Sequence, residues 1–146
     1  MSMDENDLAR EELRRIDHLV FVTLKYTRTV DVIRTIISKF INAIDYRVSE
    51  YYEHLLEKGK VTSIPQAPLM RLKDLEKFHP KDKDIKDIID FYVMLKQTYN
   101  MDFKAKEEYR KNVTLVTKDR EVNINMLKEY VEDVKRHLNY IEGLKT

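Results

Sequence analysis

From Val30 to Lys58 apolar side chains return every three or four residues, and no glycine or proline interrupts them. Val30, Ile33, Ile37, Phe40, Ile41, Ile44, Val48, Tyr51, Tyr52 and Leu55 hold this period, the mark of an amphipathic helix. At 1.5 Å rise per residue the stretch makes a rod of roughly 43 Å. Thr29 can cap its start, Asp31 suits its first turn, and Gly59 is placed to end it in a left-handed conformation. A rod of that length must bury its apolar face against other elements, and those elements also read as helices.

The spacing predicts a first helix over about 5–26, with Leu13, Ile16, Val20 and Leu24 as one stripe and Asp4, Glu5 and Asp7 at its start. Leu19-Val20-Phe21-Val22 is apolar on more than that stripe. The segment therefore needs two partners, either at the centre of a bundle or at a dimer seam, and a homodimer is expected. Gly59 to Pro68 reads as a loop. A short helix is expected over about 68–78, with Leu69, Leu72 and Leu75 inward and Pro80 beyond it. Another starts near Asp82 or Asp84 and carries Ile85, Ile88, Ile89, Tyr92, Leu95 and Tyr99 on one face. The last carries Leu127, Tyr130, Val131, Val134, Leu138 and Ile141, capped by Asn125 and ended near Gly143. Between them, Lys104 to Lys111 reads as a helical turn or two. Val113–Thr117 and Glu121–Ile124 alternate like strands of a hairpin, although two strands alone are marginal.

With 2 Gly and 3 Pro in 146 residues the chain lacks the turn formers of a sandwich or barrel, and with 42% hydrophobic residues it is not a disordered chain. The expected fold is all-α, one domain over 1–146. It is an up-and-down bundle of four main helices plus a short one, with a small β-hairpin near 113–124. There is no cysteine, which excludes disulfides and thiolate chemistry. The longest apolar run, Leu19 to Val22, is far short of the roughly 20 residues of a membrane span. The acidic start Met1-Ser2-Met3-Asp4-Glu5 lacks the basic region of a secretory signal, so a cytoplasmic protein is expected. Abundant Lys, Glu and Arg beside two glutamines match the surface chemistry of thermophile proteins.

The 27 Lys and Arg nearly cancel the 26 Asp and Glu, leaving +1. Binding to nucleic acid would therefore need a local basic patch. Two basic clusters qualify. Lys25, Tyr26 and Arg28, with Arg34 further on, surround the junction of the first two helices, where free amides at a helix start suit a phosphate. Tyr109, Arg110 and Lys111 precede the hairpin, and arginine beside tyrosine can stack and pair with phosphates. The bland readings are helix C-terminal cations and a solvated charge run. A single Glu-x-x-His match, Glu76 to His79, falls short of the two that a di-iron bundle needs, so no metal is expected. Two distant glycines exclude phosphate loops, and no cofactor motif is present.

The stretch Val22-Thr-Leu-Lys-Tyr-Thr-Arg-Thr-Val-Asp-Val-Ile-Arg and the stretch Glu108-Tyr-Arg-Lys-Asn-Val-Thr-Leu resemble archaeal members of the HEPN superfamily of small helical bundles. The resemblance implies one long helix, a C-terminal pair, and a nucleotide, RNA or other anionic compound as ligand. Ribonucleases of that superfamily carry Arg, four to six residues, then His, usually with a polar residue after the Arg. Arg110 has no His at that distance. Arg47 and His54 have the spacing, with Val48 where a polar residue is expected. The resemblance thus implies a non-catalytic, homodimeric binding protein. The alternatives are a metal-independent ribonuclease, with His54 as general base and Arg47 on the phosphate, and an assembly module with no ligand.

Overall fold

The computed structural model describes residues 7–145; Asp4 and Glu5 lie outside the described residues. Helix α1 runs Leu8–His18, passes through a π-helical turn, Leu19–Thr23, and closes with Leu24–Tyr26. Then follow α2 (Val30–Glu57), α3 (Pro68–Phe78) and α4 (Lys83–Asn100). Strands β1 (Phe103–Lys106), β2 (Thr114–Thr117) and β3 (Glu121–Asn123) form an antiparallel sheet in that order, and α5 (Ile124–Gly143) completes the chain. None of the described helices is long and apolar enough to cross a membrane.

The long rod dictates the packing. Thirteen residues of α2 are buried, from Val30 to Leu55, and they are spread too widely around the helix for one neighbour to cover. Helices α1, α3, α4 and α5 and strand β2 all pack against it. Each fully buried Ile, Phe or Leu contributes about 1.5–3 kcal/mol of transfer free energy. Polar side chains fasten the covering elements. The Arg34 guanidinium lies 4.5 Å from both the Tyr99 and the Phe103 ring centres and donates to the Tyr99 carbonyl at 3.0 Å. Buried Tyr92 donates to Asp45 Oδ1 at 2.8 Å, and burial holds the Asp45 carboxyl above its ordinary range. Tyr52 donates to the Arg71 carbonyl at 2.6 Å, and burial pushes its phenol up to about 12.

Four expectations change. The all-α reading becomes a mostly helical fold with a small sheet, because Phe103–Lys106 is a strand where a helical turn was expected, and it pairs with β2. A hairpin of 113–124 alone would be marginal; the third strand and the burial of Val113, Leu115 and Val122 stabilise it. Asn123, not Asn125, caps α5, its Oδ1 accepting from the Met126 amide at 2.9 Å. Leu72 and Leu75 are buried, but Leu69 is exposed. At about 100° per residue, Leu69 stands roughly 120° round the helix from Leu75.

The fourth change is the π turn, in which the Leu24 amide bonds to the Leu19 carbonyl five residues back. The buried positions Glu12, Ile16, Val20 and Leu24 step by four. In a regular helix each such step drifts by about 40°. One wider turn absorbs the drift and keeps Val20 and Leu24 on the buried side. The same turn leaves Phe21 and Val22 outside, 41% and 42% exposed.

His137 on α5 is buried, its ring 5.1 Å from that of Phe91. Burial, helped by Arg136, pushes its pKa below the ordinary value against the opposing pull of Asp133, Asp87 and Asp84. A group depressed in this way stays neutral in the fold while the unfolded chain takes up a proton below pH ~6.5. Its contribution to stability is therefore complete above that pH and is lost as pH falls. Thermal melts of the wild type should decline more steeply below pH ~6.5 than those of His137→Leu; parallel pH profiles for the two proteins would contradict the assignment.

Candidate functional site

A concavity of about 980 Å³ lies where α1, the sheet and the start of α5 converge. Helix α1 supplies Val20, Phe21 and Leu24 from around the π turn, then Lys25, with Arg28 just beyond its end. The end of β1 and the following segment supply Lys106, Glu107, Lys111, Asn112 and Thr114. Strand β3 and the first turns of α5 supply Glu121, Asn123, Ile124, Asn125 and Lys128. A π turn inside an α-helix often marks a functional site. Here it presents the Phe21 ring to the cavity.

The sheet sets out the floor. Lys106 pairs in register with Thr114, and Thr114 with Asn123. Registered neighbours share one face, so this polar row faces the cavity while Leu115 and Val122, one residue away, are buried on the other side. The wall between β1 and β2 is fastened to the α1–α2 junction. The Tyr109 amide donates to the Arg28 carbonyl at 2.7 Å, and Glu108 Oε2 accepts from the Val30 amide at 2.9 Å. Glu107 and Tyr109 hold φ of 58° and 69°, a region that costs non-glycine residues on the order of 1 kcal/mol and that these two contacts impose.

The electrostatics are uneven. Lys106 lies 3.8 Å from Glu121, and Glu107 lies 3.8 Å from Arg110. Among the described residues Lys25, Arg28, Lys111 and Lys128 form no ion pair. The Lys128 ammonium stands 5.9 Å from the centre of the Phe21 ring. Arg28 is half-buried, and its Nε–H is buried with no acceptor. Arg47 and Arg120 bury an Nε–H in the same way.

Of the residues singled out from sequence, the cavity unites Lys25 and Arg28 with Lys111 from more than eighty positions away. Arg34 is held instead by Tyr99 and Phe103. Tyr26 and Tyr109 are 84% and 77% exposed and do not line the cavity, and Arg110 points to Glu107. The amides at the start of α2, read as a place for an anion, are taken by the chain's own groups: Glu108 holds Val30, and Thr29 Oγ1 accepts from Val32 at 3.3 Å. The pocket residues not found from sequence include Phe21, Lys106, Glu107, Thr114, Glu121, Asn123, Asn125 and Lys128. Lys106 lay in a segment read as helical. Lys128 has no local signal, since it reaches the cavity only through the docking of α5.

Arg47 and His54 occupy a different end of the fold. The Arg47 side chain is 7% exposed and meets Glu142 at 2.8 Å and Asp7 and Glu50 at 3.6 Å each. It joins α1, α2 and α5. Burial raises the affinity of Glu142 for a proton, but Lys145 and Arg47 outweigh it and hold that carboxyl below its usual range. The His54 ring stacks on Tyr51 at 6.4 Å, and the Tyr51 hydroxyl is 3.0 Å from His79 Nε2. Among the described residues no three His, Asp or Glu side chains gather as metal ligands. No protein-family model, curated protein or solved structure matches this chain.

The Arg47 geometry makes a stability prediction. Arg47→Ala strands three carboxylates near one another and should cost about 2–3 kcal/mol in urea unfolding, less than a fully buried pair because Glu142 is half exposed. A loss under about 0.5 kcal/mol, as at an ordinary surface position, would contradict the structural role.

Proposed function

We propose that this chain is a non-catalytic, HEPN-like binding protein that holds a phosphate-bearing ligand, a nucleotide or RNA, in the pocket between α1, the sheet and α5. One observation carries the reading: Lys25, Arg28, Lys111 and Lys128 converge on a single concavity, and none of them has a carboxylate partner among the described residues. Like charges gathered in a concave surface repel one another and raise the local concentration of anions. A bound phosphate relieves that repulsion and accepts charge-assisted hydrogen bonds from these cations. Val20, Phe21 and Leu24 add an apolar face for the rest of the ligand.

The same reading takes α1, α2, α4 and α5 as an up-and-down bundle, sets the protein in the cytoplasm and makes it a homodimer. Val22 and Tyr26 are exposed on α1 and are the side chains a dimer contact there would cover. The ribonuclease reading has less support, because the Arg47 guanidinium is enclosed by carboxylates.

Titration calorimetry with adenosine monophosphate and with a short oligouridylate tests the site. Arg28→Ala should weaken binding by about tenfold, the value of one charge-assisted hydrogen bond, and added salt should weaken it further. Equal affinity in the variant would remove the site assignment. Sedimentation equilibrium checks the dimer, and a mass of 17.6 kDa, that of one chain, would end it.

A further inference from the structure

A second concavity, about 390 Å³, opens between α1 and α2 and is lined by Arg14, Arg15, His18, Leu19 and Lys39. It shares no residue with the pocket described above. Apart from Leu19 every lining side chain is basic, and none is a carboxylate.

Local geometry gathers these groups. Arg14, Arg15 and His18 belong to the regular part of α1, ahead of the π turn. At about 100° per residue they fall within roughly 100° of one another around the helix. Lys39 joins them from α2 through Glu12, whose carboxylate is buried at the contact of the two helices. Glu12 Oε2 accepts from Asn42 Nδ2 at 3.1 Å. Glu12 Oε1 accepts from Arg15 Nη1 at 3.1 Å and stands 3.7 Å from Lys39 Nζ. Both cations meet the same oxygen, so their nitrogens lie no further apart than those two distances laid end to end. One small anion can reach both.

Neither cation is exhausted by that contact, since a guanidinium has five N–H donors and an ammonium three. The Arg14 side chain forms no ion pair or hydrogen bond among the described residues. His18 Nδ1 is 3.4 Å from Thr23 Oγ1, which leaves its Nε2 for a ligand. Glu11, one turn before Arg14 and Arg15, lines no part of the concavity and pairs with neither of them.

Charge selects the ligand. Arg14, Arg15 and Lys39 share the single carboxylate of Glu12, so positive charge is in excess. A ligand carboxylate would neutralise only part of that excess. A phosphate monoester carries nearly two negative charges at neutral pH and offers three acceptor oxygens. Leu19 and the stems of the basic side chains give the body of an ester an apolar surface. The volume, about 390 Å³, lies within the range of small-molecule sites.

We propose that this second concavity binds the phosphate group of a small monoester through Arg14, Arg15 and Lys39, with His18 beside them. The site is separate from the pocket between α1, the sheet and α5, and neither requires the other.

Amide NMR of the full chain at low salt tests it, because each site reports through its own amides. The probes are phenyl phosphate, inorganic phosphate and benzoate. Phenyl phosphate should shift the amides of residues 14–19 and of Lys39 and bind there about tenfold more tightly than benzoate. Inorganic phosphate should bind more weakly than the ester. Arg14→Gln and Lys39→Met should each weaken phenyl phosphate at these amides by about fivefold or more. Both should leave shifts at residues 106–114 as in the wild type. No shift at residues 14–19 with either phosphate, equal affinity for benzoate and phenyl phosphate, or unchanged affinity in both variants would overturn the proposal. Inorganic phosphate binding as tightly as phenyl phosphate would overturn the monoester as its ligand. Shifts at residues 106–114 without any at 14–19 would overturn this site and leave the first pocket standing. Circular dichroism melts of both variants, expected to match the wild type, separate lost binding from lost fold.

Discussion

A 28-residue helix with apolar residues around much of its girth is the constraint on which this molecule is built. No single neighbour can dry such a rod. Helices α1, α3, α4 and α5 and strand β2 each cover part of it, and their positions relative to one another follow from that shared contact. The sheet exists on the same terms. Three short strands have little stability alone, and the buried side of this sheet, Val113, Leu115 and Val122, joins the core around α2. The other face, with Lys106, Thr114 and Asn123, is left to line a cavity.

The position of that cavity depends on two local departures from regular backbone. The π turn keeps Val20 and Leu24 buried and turns Phe21 outward, so that an aromatic ring lines the cavity. The wall that carries Lys111 passes through two left-handed residues, Glu107 and Tyr109. Bonds to the Arg28 carbonyl and the Val30 amide hold it in place. Arg28 thus takes part twice: its carbonyl anchors the wall, and the residue lines the cavity without an ion-pair partner among the described residues. Glu108 settles the start of α2 by charge and hydrogen bond, where a carboxylate is favoured by the helix dipole. This moves the place for an external anion from the helix terminus into the adjoining pocket.

Much of the helical framework was legible in the sequence because helical period and capping are local. Thr29 caps α2 and Asp82 caps α4 through bonds to amides two or three residues on. Gly59, at φ 71°, lies just past the end of α2 as expected. What depends on distant contacts was less visible. Strand β1 is exposed at all four residues and carries no alternating pattern; pairing with β2 makes it a strand. The π turn follows from which residues α2 covers. The site was half visible: Lys25, Arg28 and Lys111 stand in basic clusters, whereas Lys128 looks like any lysine on a helix. Arg34 looked like a member of the first cluster, yet two aromatic rings from α4 and β1 capture it. Arg47 has the spacing of a catalytic residue and the surroundings of a structural one.

In the proposed site the basic segments around Arg28 and Lys111 act with the start of α5 as one anion-binding surface. Amide NMR of the labelled chain during titration with inorganic phosphate tests it most directly, since each amide reports its own surroundings. Shifts are expected in residues 20–28, 106–114 and 121–128, moving together with one apparent affinity that falls as salt rises. Shifts centred on Arg47 and His54, or no shifts in the three pocket segments, would contradict it.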